Sequence, residues 1–198
     1  SLHDALPIYI RALLREAPAA AHEALSILTD LTIDYLRYQA ACGADVVQLF
    51  ESAAFLFSPD DYKAFALPCQ QRIFSALRGV MSTIHFAHFP DHCPPLELLS
   101  AAGAEIISLP SSLSIADARR AAGAPIPLQG NLDNRLLATG NWEEIAAAAR
   151  RCLQEGGHHG HIFNLGHGLL RETPHANVVN LVALIRSVLC RQEGDNDG

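Results

Sequence analysis

The sequence predicts an α/β fold of the (β/α)8-barrel type, as an incomplete barrel of about five parallel strand–helix units. Five short apolar runs occur along the chain, and none alternates cleanly with polar residues, which is typical of strands buried on both faces. Segments with helical spacing separate these runs, and that alternation indicates βαβ units. No glycine-rich phosphate motif follows the first run, which favours a barrel over a doubly wound nucleotide-binding sheet.

The predicted strands are short, and capping residues mark several of the helices between them. Ser58 is an expected N-cap with Pro59 in the first helical turn, and Gly103 and Gly123 are placed to end two helices. The tail, residues 192–198, is polar and predicted to be disordered. The strands are predicted at 44–50, 81–88, 104–109, 125–129 and 161–165, and the helices at 20–41, 59–78, 94–102, 114–122, 141–155 and 174–191.

Composition argues against two classes of partner. The chain has 198 residues and a formal net charge of -7, which disfavours a general attraction to nucleic acid or to an anionic membrane. Its five cysteines are scattered without a C-x-x-C pair, a pattern typical of reduced thiols in the cytosol. We find no apolar run of membrane-spanning length and no leader-like start. We therefore expect a cytoplasmic protein without nucleic-acid or membrane partners.

Polar residues collect where the predicted strands end, which is the active face of a barrel. His167 is notable because it lies between Gly166 and Gly168, and packing alone does not require a histidine there. Those glycines would allow tight or positive-φ backbone, so that a bulky ligand could approach the imidazole. The residues collected at strand ends are Glu51, Ser52, His85, His88, Gln129, Asn131, Asp133, Asn164 and His167.

Structural interpretations of the same residues remain open. Ser52 could cap the turn after its strand, and Gln129 could be loop scaffolding. Asn131 and Asp133 could cap a helix that begins at Leu132 and so fix the loop.

Three stretches together resemble one enzyme family, the uroporphyrinogen decarboxylases. They are QLFESAAFLFSPDDYKAFALP (48–68), LQGNLD (128–133) and FNLGHG (163–168). The resemblance covers residues 20–191 and the C-terminal part of the family's single barrel domain, while residues 1–19 match poorly.

The resemblance implies a carboxy-lyase of porphyrin and heme biosynthesis that needs no cofactor and no metal. Such an enzyme removes four CO2 from the acetate side chains of uroporphyrinogen III to give coproporphyrinogen III, as a cytoplasmic homodimer. Carried over residue by residue, His167 is the catalytic, substrate-facing histidine and Ser52 binds the substrate. Asn131, Asp133, Gly166 and Gly168 support the loops. The family's arginine-rich segment, cupping aspartate and mid-barrel tyrosine are not found here, so we expect the chain to be inactive alone.

Two departures from the family pattern stand out. A Leu-Asp-Trp common in the family is replaced within SLPSSLSIADAR (108–119), and Asn134 stands where proline is usual.

Two alternatives remain: a zinc- or corrinoid-linked methyltransferase of the same fold, or a non-catalytic fragment. The first is disfavoured because Ala87 occupies the position where that branch has a zinc-binding cysteine.

Two histidine-rich stretches raise the question of a metal. One contains His85 and His88 together with Asp91, His92 and Cys93, and the other contains His158, His159 and His161. Structural zinc sites need about four N or S ligands and catalytic zinc sites need three, and we interpret the second stretch as a solvated loop before the last strand. We predict no metal.

Overall fold

The computed structural model describes residues 2–88, 96–122, 126–157 and 159–194. Its strands form a parallel sheet, which confirms the predicted α/β class. In sheet order, the described strands are β1 (Val46–Glu51), β2 (Ser82–Ala87), β3 (Ile106–Ser108), β4 (Leu128–Gln129) and β5 (His161–Ile162). The chain forms two compact units, Ser1–Ile107 and Ser108–Gly198, which are taken in turn below. Among the described residues, no helix combines the length and apolar character needed to cross a membrane.

The first unit is built around β1 and β2, which pair in parallel from Val46 opposite Ser82 to Glu51 opposite Ala87. One face of β1 packs against helices, where a buried cluster includes Val47 and Ile73. In order, the elements are α1 (Leu2–Glu16), α2 (Pro18–Ala41), β1 (Val46–Glu51), a 3-10 turn (Ala54–Leu56), α3 (Pro59–Asp61), a π-helical segment (Tyr62–Ala66), α4 (Leu67–Leu77), β2 (Ser82–Ala87), α5 (Leu96–Ser100) and the start of β3 (Ile106–Ser108).

Residues 59–78, predicted as one helix, are divided by the π-helical segment. Ser58 is the N-cap as expected, and its hydroxyl accepts a hydrogen bond from the Asp61 amide at 3.1 Å. Pro68 lies at the start of α4 and has no N–H to donate to the preceding turn. The helix widens before it, and the Leu67 amide bonds to the Tyr62 carbonyl, five residues back. Proline at this position therefore explains the departure from a regular α-helix.

The second unit contains the end of β3 and a short parallel pair, β4 and β5, with Leu128 opposite His161. Its core includes Leu137, Ile145 and Leu181. Asn141 and Glu144 form a capping box at the start of α8 (Trp142–Gly156), in which the side chain of each accepts a hydrogen bond from the backbone amide of the other. The elements are α6 (Ile115–Ala122), β4 (Leu128–Gln129), α7 (Asn134–Thr139), α8 (Trp142–Gly156), β5 (His161–Ile162) and α9 (His175–Gly194).

The second unit departs from expectation in three places. Strands β4 and β5 are two residues each, because regular pairing stops at the turn that begins with Gly130, and only an isolated bridge joins Leu132 to Leu165. Since Leu132 lies in that bridge, the expected helix start there is wrong, and α7 begins at Asn134. The predicted disordered tail is partly wrong, because α9 continues to Gly194. Residues 195–198 lie outside the described chain.

Candidate functional site

Ser52 lies in the turn directly after β1 and its side chain is exposed. Within the described part of the chain, its hydroxyl makes no hydrogen bond, so it does not cap the turn there. Two backbone hydrogen bonds hold this turn. The His88 amide donates to the Glu51 carbonyl, and the Phe55 amide donates to the His88 carbonyl, each at 3.1 Å. The serine hydroxyl is thus presented on a turn whose backbone is fixed at both ends.

His167 lies in the loop that follows β5, and its side chain is exposed. Its Nδ1 accepts a hydrogen bond from the Gly168 amide at 2.7 Å. When Nδ1 accepts, the proton of a neutral imidazole is on Nε2. The backbone therefore selects the tautomer in which Nε2 is the donor, and a donor at this position suits a carboxylate ligand.

The two glycines beside His167 have different surroundings. Gly166 is buried, and a Cβ at this position would lie 2.3 Å from the Ser111 backbone nitrogen, which leaves no space for a side chain. A Cβ at Gly168 would meet nothing within 4 Å. Neither glycine has a positive φ, so that part of the expectation is wrong. At Gly166 the requirement is close packing.

Asn131 and Asp133 make separate hydrogen bonds on either side of Leu132. The buried Asn131 amide donates to the Pro110 carbonyl at 2.8 Å and also to the Leu113 carbonyl. It therefore ties the turn after β4 to the loop after β3. Asp133 is the N-cap of α7 and accepts a hydrogen bond from the Arg135 amide at 2.8 Å.

The loops after β4 and β5 are bonded to each other. The Leu132 amide donates to the Asn164 carbonyl at 3.0 Å, and the Gly166 amide donates to the Leu132 carbonyl at 2.8 Å. Asn134 adds a side-chain bond from Nδ2 to the Gly168 carbonyl at 2.7 Å. Sequence reasoning missed this contribution of Asn134 to the His167 loop. The only sequence signal was asparagine at a position where the resemblance leads one to expect proline.

The segment of residues 108–119 runs from the last residue of β3 into α6, and later parts of the chain make polar contacts with both of its ends. Ser108 accepts a hydrogen bond from the buried Gln129 side chain at 3.1 Å, which fits the scaffolding interpretation of Gln129. Arg119 donates to the Gly156 carbonyl, at 2.5 Å, and to the His159 carbonyl, at 3.1 Å. These contacts hold the two ends of the segment, in β3 and in α6.

Two of the histidines considered as metal ligands, His85 and His161, contact other parts of the protein. His85 lies inside β2, 1% exposed, and its ring is 5.4 Å from that of Phe74. Placing it with the groups at the strand end was wrong, because its side chain belongs to the packed layer. Burial lowers the pKa of His85 to about 4. The His161 ring contacts the Gly130 carbonyl at 2.6 Å, and burial lowers its pKa as well.

No set of three His, Cys, Asp or Glu side chains is placed to hold a metal ion within the described ranges. His158 and the stretch containing Asp91, His92 and Cys93 lie outside them.

Comparison with known proteins gives a consistent result over most of the chain. A family model described as uroporphyrinogen decarboxylase (URO-D) matches residues 7–188. A uroporphyrinogen decarboxylase from Nocardia farcinica is 38% identical over 185 residues, which are 90% of this chain and 51% of that protein. One from Nostoc punctiforme is 40% identical over 162 residues, covering 81% of this chain and 46% of that protein. The chain thus spans about half the length of the curated relatives it matches.

A solved structure of a methyltransferase from Methanosarcina mazei is similar in fold. It superimposes with a TM-score of 0.77 at 24% sequence identity and covers 90% of this chain and 52% of the other. At this level of identity the likeness concerns the fold alone, and it indicates the same barrel type.

Proposed function

Because this chain belongs to the uroporphyrinogen decarboxylase family, we propose that it is the C-terminal part of an enzyme that converts uroporphyrinogen III to coproporphyrinogen III. The family match over residues 7–188 carries the proposal. The enzyme would be a cytoplasmic homodimer that uses no cofactor or metal, and the described chain alone would lack turnover.

The reaction requires the protein to bind the substrate and to supply protons. An acetate on an electron-rich pyrrole loses CO2 once protonation turns the ring into an electron sink. The protein then has to hold carboxylates, stabilise the cationic ring and deliver a proton to the new methyl group. We assign His167 to the carboxylate arms of the substrate and to this proton supply.

Its tautomer supports that assignment. Since Nδ1 accepts the Gly168 amide, Nε2–H is the donor toward a bound carboxylate. Ser52, with an exposed hydroxyl, is proposed as a second hydrogen-bonding group for the substrate. Asn131, Asp133 and Gly166 are proposed to act through the loops, by the contacts described above.

The test uses the full-length protein and two substitutions of one residue. His167→Asn keeps an acceptor near the Gly168 amide but cannot reach the position of Nε2, whereas His167→Gln can place an N–H there. We expect Asn to lower turnover and to release partly decarboxylated porphyrinogens, and Gln to retain more activity than Asn. Chromatography of the oxidised products, which carry from four to eight carboxylates, measures the distribution.

His159→Asn is the matched control, because His159 is also exposed and lies before β5. Its product distribution should equal that of the wild type. If His167→Asn also leaves the distribution unchanged, the role of His167 is wrong. Turnover of uroporphyrinogen by the 198-residue chain alone would contradict the proposal that the chain is inactive by itself.

A further inference from the structure

A cleft opens in the first unit between α1 and the loop that follows the 3-10 turn. Its volume is about 340 Å³, which lies in the range typical of small-molecule sites. Helix α1 lines one side with Arg11, Leu14 and Arg15, and the other side is formed by residues 56–58 together with Asp61 of α3. None of the substrate-facing residues proposed above lies in this cleft.

Two arginines lie side by side at the cleft. Arg11 and Arg15 are four residues apart, so their side chains are neighbours on one face of α1, next to the buried Leu14. Like charges at this spacing repel each other and destabilise a helix. Within the described residues, no carboxylate forms an ion pair with either arginine. An anion bound between the two guanidinium groups would remove this repulsion.

The Arg11 guanidinium is oriented by the opposite wall of the cleft. Its Nε donates a hydrogen bond to the Leu56 carbonyl at 3.1 Å. That bond uses one of the five N–H groups of the guanidinium and leaves four on the two Nη atoms. Because the guanidinium is planar, fixing Nε also directs the Nη fork, which binds carboxylates in a bidentate manner. Arg15 makes no hydrogen bond within the described chain, so its guanidinium can supply the second cation.

The other lining residues restrict the kind of anion. Leu14, Leu56 and Phe57 place apolar surface beside the guanidinium groups. Asp61 adds a negative charge, and its Oδ2 accepts a hydrogen bond from the Ser58 hydroxyl at 2.8 Å. Two arginines and one aspartate give the lining a formal net charge of +1. A single carboxylate on an apolar body complements this lining better than a phosphate dianion does.

We propose that this cleft binds a carboxylic acid with an aromatic ring, the carboxylate on Arg11 and Arg15 and the ring against Leu56 and Phe57. Two sources share this chemistry. One is an acid arm of the tetrapyrrole on its pyrrole ring, which rests on the proposed function, since the loop lining the cleft continues from the turn that carries Ser52. The other is a separate small aromatic acid.

Binding is tested first with indole-3-acetate, which carries one acetate on a pyrrole-containing ring. Titrated into the 198-residue chain, it should shift the Arg11 Nε–H signal in proton–nitrogen NMR spectra and saturate with a Kd on the order of 1 mM. Indole-3-ethanol lacks the carboxylate and inorganic phosphate lacks the ring, so each should bind at least about tenfold more weakly. Equal binding of either compound would overturn the proposed ligand class.

Substitution of Arg15 tests the location of the site. Arg15→Gln should weaken binding of indole-3-acetate about tenfold, because it removes a charged hydrogen-bond donor. Arg37→Gln is the matched control, since Arg37 is an exposed arginine of α2 that donates to the Ala76 carbonyl at 3.2 Å, a bond of the same kind as that of Arg11. It should leave the affinity unchanged. A wild type without a saturable shift, or one that binds no more tightly than Arg15→Gln, would overturn the proposal.

Kinetics of the full-length protein distinguish the two sources. If the ligand is an acid arm of the substrate, indole-3-acetate should compete with uroporphyrinogen, and Arg15→Gln should raise KM about fivefold with kcat unchanged. If the ligand is a separate acid, indole-3-acetate should bind without competing, and Arg15→Gln should leave KM unchanged. A wild type without turnover contradicts the proposed function alone, because the NMR titration does not depend on turnover.

Discussion

Acid should destabilise the fold through His85. Burial lowers the pKa of this histidine from 6.5 to about 4. The unfolded chain therefore binds the proton first, and stability falls as the pH drops from about 6.5 toward 4. The full effect corresponds to about 3 kcal/mol, of which about 2 kcal/mol falls between pH 7 and pH 5.

His85→Leu removes the titrating group and keeps an apolar side chain of similar size. Urea unfolding followed by circular dichroism at pH 7 and pH 5 gives the free energy of unfolding for each protein. Between the two pH values, the wild type should lose about 2 kcal/mol more than His85→Leu. The carboxyl groups and the other histidines contribute equally to the change in unfolding free energy of both proteins, so the difference between the two proteins reports His85.

Ile84→Val is the control for this measurement. Ile84 is a buried neighbour in β2, and its truncation should cost about 1 kcal/mol at both pH values. If the wild type and His85→Leu lose stability in parallel as the pH falls, His85 does not titrate as a buried neutral group, and the reasoning is refuted.

Further substitutions test the loops of the second unit, each by urea unfolding at pH 7. Asn131→Ala leaves two backbone carbonyls without their donor and should lower stability by about 2 kcal/mol. Gly166→Ala brings a Cβ against Ser111 and should cost about 2 kcal/mol, whereas Gly168→Ala meets no neighbour and should stay within about 0.5 kcal/mol. Asn134→Ala should cost about 1 kcal/mol and speed amide exchange in the His167 loop. Equal costs at the two glycines would contradict the packing argument.

Local signals predicted the fold well where they were strong. Ser58 caps its helix as predicted, because this contact forms within one turn of chain. Strand lengths were less predictable. The run at 161–165 contains three apolar residues, but regular pairing requires a partner strand, and β4 ends at Gln129. The prediction that a helix begins at Leu132 was wrong because Leu132 forms a bridge to Leu165, and local sequence does not reveal this long-range contact.

The sequence by itself determined the class of fold and the family, because both depend on the order of short motifs along the chain. The QLFES, QGNLD and NLGHG stretches also identified Ser52 and His167 as the residues to examine. Only the tertiary structure decided what supports them. Asn134 and Gly168 are 34 residues apart yet share a hydrogen bond, and Asn131 and Pro110, which are 21 residues apart, share another. Such contacts depend on which elements lie side by side in the fold, and a single contact between distant residues leaves no periodic pattern in the sequence.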